Sequence, residues 1–171
     1  YQYEDKTLNA IFKNRDHLDI LIAGCGTGKE ACSMAKGFPN SKITAIDLSL
    51  SSLAYAKKKI DQLNIKNIEL IQLDILNLGT LNKKFDLINS NGVIHHMDNP
   101  DLGLRILSSK LKKNGILNLG LYSKISRQVI SAAKEEIKKL NIKGDDKNSV
   151  RALRRSIINQ EKEFQELYSL I

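Results

Sequence analysis

Short apolar runs alternate with stretches of helical periodicity along this chain, and no other feature constrains its fold as much. Asp19 to Ala23 reads as a fully buried strand that stops at glycines. Lys29 to Gly37 reads as a helix with Ala31, Met34 and Ala35 on its inner face, and Pro39-Asn40 as a turn. Lys42 to Ile46 is a second buried strand, Leu50 to Leu63 a second helix, Ile68 to Leu73 a third strand and Phe85 to Asn89 a fourth. Asn99 to Leu111 reads as a helix with Pro100 in its first turn, where a missing N–H costs nothing. Asn114-Gly115 then marks a turn before a fifth strand, Ile116 to Leu121. This pattern predicts an α/β fold: a doubly wound, mainly parallel sheet covered on both faces and joined by right-handed crossovers. After Ser126 only helices are expected, Ile130 to Leu140 and Ser149 to about Leu167, with a polar loop between them. The expected organisation is an N-terminal segment at 1–18, an α/β core at 19–125 and a helical extension at 126–171.

Gly24-Cys25-Gly26-Thr27-Gly28 lies between the first strand and the first helix. Glycines there let the backbone turn tightly and approach a ligand, and the helix start behind them offers free N–H groups. A nicotinamide fingerprint would put its third glycine at position 29, which is Lys29, and a phosphate-binding Walker loop would follow Gly28-Lys29 with Ser or Thr, where this chain has Glu30. Asp47 and Asp74 end the second and third strands. In an open parallel sheet, ligands bind beyond the carboxyl ends of the strands. A carboxylate at the second strand end can accept both hydrogen bonds of a ribose diol, and Asp74 can accept one from an adenine amino group. Either one alone could equally be a helix cap.

At 171 residues and 42% hydrophobic, the chain suits one domain with a sizeable core. It has no apolar run near the ~20 residues of a membrane span. Tyr1 to Asn14 is too polar for a signal peptide, and Cys25 and Cys32 are too few for a disulfide scaffold. A reducing, cytoplasmic setting is expected. The net charge of +8 raises the question of nucleic acid, but 21 Lys stand against 6 Arg, and the lysines spread over several helix faces. Arg is the residue that makes bidentate phosphate and guanine contacts. A small-molecule partner is expected rather than nucleic acid or protein.

Ile20 to Gly28, Ala45-Ile46-Asp47, Gln72-Leu73-Asp74, Phe85-Asp86-Leu87-Ile88 and Gly115-Ile116-Leu117, in that order, resemble the motifs of class I S-adenosylmethionine-dependent methyltransferases. The resemblance spans Ile20 to Tyr122 and implies a Rossmann-like methyltransferase fold, S-adenosylmethionine as cofactor and S-adenosylhomocysteine as product. It further implies that Ala23, Gly24, Cys25, Gly26 and Gly28 form the cofactor loop, the glycines passing under methionine and ribose. Asp47 would bind the ribose hydroxyls, and Leu48 would pack on the adenine. Asp74 and the N–H of Ile75 would read the adenine edge, and Asn91 would lie near the methionine part. Asp47 to Ala56, Gly92 to Met97 and Gly120 to Ser123 look like a bacterial branch often fused to tetratricopeptide repeats, as do Gln2-Tyr3-Glu4 and Leu167 to Leu170. A natural chain extended by such repeats is therefore expected.

Two departures stand out. Most of the family has an acid two residues before the first glycine, and here that position is Ile22. The methionine ammonium must then be held elsewhere, by backbone carbonyls or Glu4. The family fold also carries two strands after the fifth, and none is readable here, so a truncated C-terminus is expected. The fifth strand would then be a sheet edge, covered by the following helices or paired with another copy.

His95 and His96, just beyond the fourth strand, are the candidate catalytic residues, as a proton acceptor or as walls of the acceptor pocket. The alternative is a helix-start histidine bonded to backbone. Adjacent histidines without a supporting cluster do not suggest a metal. Tyr3 and Tyr122 are further candidates for the acceptor pocket. A general base is not obligatory, since displacement at an activated methyl needs positioning above all. The leading function is thus methyl transfer to an unidentified acceptor, a small molecule. The alternatives are an NAD-dependent oxidoreductase, against which Lys29 argues, and a non-catalytic nucleoside-binding module.

Overall fold

Residue parity in the first strand decides the architecture. Ile20 and Ile22 join one buried cluster with Ile43, Ala45 and Leu87, while Leu21 and Ala23 join a second with Ile46 and Ile88. Successive strand residues point to opposite faces, so a run apolar at every position needs cover on both. The computed structural model describes Phe12, residues 17–123, Ile125 and residues 146–159. Its strands are β1 (Asp19–Ala23), β2 (Lys42–Asp47), β3 (Ile68–Gln72), β4 (Phe85–Asn91) and β5 (Leu111–Gly120). All pairings are parallel, in the order β3-β2-β1-β4-β5. Helices α1 (Lys29–Gly37) and α2 (Leu50–Gln62) cover the first face through Ala31, Ala35 and Leu53. The second is covered by helix α3 (Pro100–Ser109) through Leu107, and by two short 3₁₀ turns, Ile75–Thr80 and Ile94–His96. The expected doubly wound parallel sheet is the observed one.

Local chemistry fixes the element ends. The Ser49 hydroxyl accepts the Ser52 N–H at 3.2 Å to cap α2, and the Asn99 side chain accepts the Leu102 N–H at 2.9 Å to cap α3 ahead of Pro100. Such caps satisfy the otherwise orphaned first N–H groups of a helix. The clearest difference from expectation is at Asn114-Gly115, read as a turn before the fifth strand. Strand β5 begins earlier, at Leu111, and the pair lies inside it. Phe85 pairs with Leu111 but Leu87 with Ile116, so β5 bulges between those two points, with Asn114 at φ 61°. A bulge uses the same left-handed backbone as a turn, which is why the dipeptide signals both.

The amino ends of the strands are tied by charge. Lys112 Nζ sits 2.7 Å from Asp19 Oδ2 and 2.8 Å from Asp86 Oδ2, and Lys83 Nζ sits 3.3 Å from Asp19 Oδ1. The Asp19 N–H also donates to Asp86 Oδ2 at 2.9 Å. Burial pushes the Asp19 pKa up, but Lys112 and Lys83 outweigh it and hold the carboxyl below its ordinary value. Hydrogen bonds to Asp19 and Asp86 raise that of Lys112.

The chain divides into two compact units, Tyr1–Leu121 and Tyr122–Ile171. In the second, a helix α4 (Lys147–Asn159) starts two residues before the expected Ser149. Asp146 explains the earlier start: its carboxylate accepts the Asn148 N–H at 3.0 Å, the Ser149 N–H at 3.2 Å and the Ser149 hydroxyl. The expected helix Ile130 to Leu140, and everything after Asn159, lie outside the described residues. Among the described residues no helix is long and apolar enough to cross a membrane.

Candidate functional site

Strand order reverses between β1 and β4, since the chain moves outward from β1 to β3 and returns to β4. Such a reversal opens a crevice at the carboxyl ends, where the connections leave in opposite directions. A cleft of about 630 Å³ opens there, walled by the glycine loop, the first turns of α1 and the ends of β4 and β5. That volume lies within the usual ~300–1,000 Å³ of small-molecule sites.

The three loop glycines do different work. All have positive φ: 81° at Gly24, 50° at Gly26 and 81° at Gly28. A Cβ on Gly24 would press into the Val93 side chain, and one on Gly28 would lie 2.7 Å from the Ala56 Cβ. These two seat the loop against the protein. A Cβ on Gly26 would meet nothing within 4 Å, so the space over it is open to a ligand. The Gly24 and Cys25 N–H groups both donate to the Ile46 carbonyl at 2.9 Å, pinning the loop to the end of β2.

Asp47 completes that arrangement. Its Oδ2 accepts the Gly26 N–H at 2.7 Å and its Oδ1 accepts the Ser49 N–H at 2.9 Å. Each carboxylate oxygen keeps a second lone pair for a further donor. Leu48, 65% exposed, offers a bare apolar surface beside it. Asp74 caps the turn that follows β3 by accepting the Leu76 N–H at 2.8 Å, and Ile75 is buried behind it. Asp47, Leu48, Asp74 and Ile75 thus cluster at the ends of β2 and β3, outside the cleft lining.

Of the residues the sequence singles out, Gly24, Cys25, Gly26 and Asn91 line the cleft. Ala23 is fully buried and does not line the cleft. Cys25 is nearly buried, and burial, followed by the nearby Asp47 charge, pushes its thiol up to about 11, which keeps it protonated and unreactive near neutral pH. His95 and His96 form the 3₁₀ turn after β4, with Nε2 atoms 3.1 Å apart, and neither lines the cleft. Tyr122 opens the second unit with a half-exposed side chain, and Tyr3 and Glu4 lie outside the described residues.

The structure adds residues that sequence reasoning missed. Glu30, in the first turn of α1, lines the cleft and accepts hydrogen bonds from Asn89 Nδ2 at 2.6 Å and from Asn91 Nδ2. Asn118 lines the cleft as Asn89's register partner on β5. Gly120, opposite Asn91, is the clearance for that side chain, because a Cβ there would collide with Asn91 Oδ1. A legible signal was present: asparagines are poor strand residues, and three of them stand at the ends of the fourth and fifth apolar runs.

The family model for the methyltransferase domain matches residues 14–169. The chain belongs to that family. It is 39% identical over 144 residues to an uncharacterized protein of Synechococcus, covering 82% of this chain and 34% of the relative. It is 37% identical over 106 residues to the malonyl-[acyl-carrier protein] O-methyltransferase of Acetivibrio thermocellus, covering 61% and 35% respectively. The chain therefore spans about a third of the length of these relatives. Among solved structures, PKMT2 from Rickettsia typhi in complex with AdoHcy superposes with a TM-score of 0.70 at 27% identity, over 85% of this chain and 28% of that one.

Proposed function

We propose that this methyltransferase-family chain binds S-adenosylmethionine and transfers its methyl group to a small-molecule acceptor. The observation that carries the reading is Gly26: its N–H is held by Asp47 while the space where a side chain would stand is open, beside a cleft large enough for a nucleoside with an amino-acid tail. When bound, the cofactor supplies a methyl group already activated on a sulfonium. The chain's own part is then to hold and orient. In this reading Gly24, Gly26 and Gly28 let the backbone pass under the methionine and ribose. Asp47 accepts the ribose hydroxyls with its remaining lone pairs, and Leu48 packs on the adenine. Asp74 and the Ile75 N–H meet the adenine edge, and Asn91 lies along the methionine portion. His95 and His96 remain candidates for receiving an acceptor proton, and Tyr3 and Tyr122 for lining the acceptor pocket.

From the malonyl-[acyl-carrier protein] methyltransferases we carry over the cofactor and not the acceptor, since the match covers 106 residues. The sequence likeness to the branch fused to tetratricopeptide repeats supports placing the chain in that branch, within a longer protein. The two cysteines are free, and we take the setting to be the reducing cytoplasm. Among the described residues strand β5 is the last in the sheet order, which supports self-association through its edge.

Calorimetry tests the reading. Saturable binding of S-adenosylhomocysteine, with none of NAD, is the expected result. Tight NAD binding without any nucleoside thioether binding would replace methyl transfer by the oxidoreductase reading. Nucleoside binding without transfer to any of a panel of small acceptors would leave a binding module.

A further inference from the structure

Position 22, where the family places an acid, carries an isoleucine with no exposed surface. It belongs to the cluster on the α1 side of the sheet, so a side chain there points toward α1. In the β1–β4 register Ile22 lies opposite Asn89. Residues in register on adjacent parallel strands share a face, so Asn89 points the same way. Asn89 is 3% exposed and donates to Glu30 Oε1 at 2.6 Å. Asn91 Nδ2 donates to the same oxygen and to Asn89 Oδ1, the latter at 3.2 Å. A carboxylate thus stands one strand away from the position where the first strand lacks one, delivered from the helix side.

Two features make Glu30 more than a helix-start acid. The amides of two neighbouring strand positions hold one of its oxygens, which fixes the group in the cleft wall rather than leaving it to solvent. Its other oxygen accepts no hydrogen bond among the described residues. A carboxylate oriented in this way recognises a cation, and a charge-assisted hydrogen bond from an ammonium is about twice as strong as a neutral one.

We propose that Glu30, positioned by Asn89 and Asn91, is the counter-charge for the ammonium of the cofactor's methionine portion. The inference rests on the cofactor reading above and names the residue that stands in for the missing first-strand acid. Neither Glu4 nor backbone carbonyls are then needed for that task.

The test compares two nucleosides that share adenosine and sulfur but differ in the amino-acid tail: S-adenosylhomocysteine and 5′-methylthioadenosine. Affinities are measured by calorimetry for the wild-type protein and for Glu30→Gln. The variant should lose at least about tenfold in affinity for S-adenosylhomocysteine, the scale of one hydrogen bond to a charged group. It should bind 5′-methylthioadenosine as the wild type does, which also shows that it folds. The desamino analogue of S-adenosylhomocysteine should bind both proteins alike. An unchanged S-adenosylhomocysteine affinity in Glu30→Gln overturns the inference alone. Equal losses for both nucleosides overturn it too, since Glu30 would then support the loop rather than the ammonium. If the wild type binds neither nucleoside, the cofactor reading falls and the inference with it.

Discussion

The two ends of the sheet use the same chemical groups in opposite ways. At the amino end, Asp19 is closed on Lys112 and Lys83 and Asp86 on Lys112, so each of these two carboxylates meets an ammonium of the chain itself. At the carboxyl end, Asp47 and Glu30 meet only N–H donors among the described residues, two backbone and two amide. Those donors orient a carboxylate without neutralising it. The first end is finished by folding and the second leaves charge and lone pairs for a ligand. In a chain with a net charge of +8, a carboxylate without a lysine partner is the informative one.

Glycine substitutions should break the comparison most severely. Gly24→Ala forces a Cβ into Val93 at φ 81°. Left-handed strain costs about 1–2 kcal/mol and overpacking about 1–3 kcal/mol. A total of about 2–5 kcal/mol should appear as a lower denaturant midpoint, and loop disruption should abolish nucleoside binding. Gly26→Ala meets no atom within 4 Å, so it should cost only the left-handed strain, about 1–2 kcal/mol. It should still reduce nucleoside affinity strongly. Equal stability losses in the two variants would contradict the separate duties assigned to these glycines.

Asp47→Ala comes next. It removes the acceptor that holds the Gly26 N–H and, in the proposed function, the ribose partner. Nucleoside affinity should fall by about 1.5–3 kcal/mol, the range for hydrogen bonds to charged groups, and Asp47→Asn should fall less. Calorimetry on the folded variants decides, and an unchanged affinity would remove Asp47 from the site.

How far the sequence could be read follows the same division. Strands β1, β2 and β4 were legible as largely apolar, buried runs bounded by turn chemistry, while β3, with Glu69 and Gln72 exposed, was legible from Ile68, Leu70 and Ile71. Parity in β1 then assigns Ile22 to the α1 face only once helix positions are known, which no single strand reveals. Glu30 was overlooked for a physical reason. An acid in a first helical turn is favoured by the helix dipole anywhere, so its presence there carries no information about a ligand. Its significance depends on Asn89 and Asn91, which are 59 and 61 residues away in sequence. Asn118 joins them through the β4–β5 register, and the bulge at Asn114-Gly115 sets that register. The short 3₁₀ turns flanking β4 carry too few residues for a periodic signal.

The smallest effect belongs to the closed end. Lys112→Met should lower stability by about 1 kcal/mol or less, because the Lys112 side chain is 38% exposed and solvent screens its pairs. It should leave nucleoside affinity unchanged, since Lys112 lies at the opposite end of the sheet from the cleft. The pH dependence identifies the cause. Asp19 is held below its ordinary pKa, so its contribution is complete above the unfolded value of about 3.9 and fades as pH falls through the lowered folded value. Lys112 is raised, so its contribution is complete below its unfolded value of about 10.4 and fades as pH rises through the folded one. Between these limits the wild type and Lys112→Met should differ by a constant amount in urea unfolding. The difference should shrink below about pH 4 and again above about pH 10.5. A difference that persists unchanged into strong acid would mean that Lys112 acts through packing of its aliphatic stem. A shift in nucleoside affinity would mean that the two ends of the sheet are coupled after all.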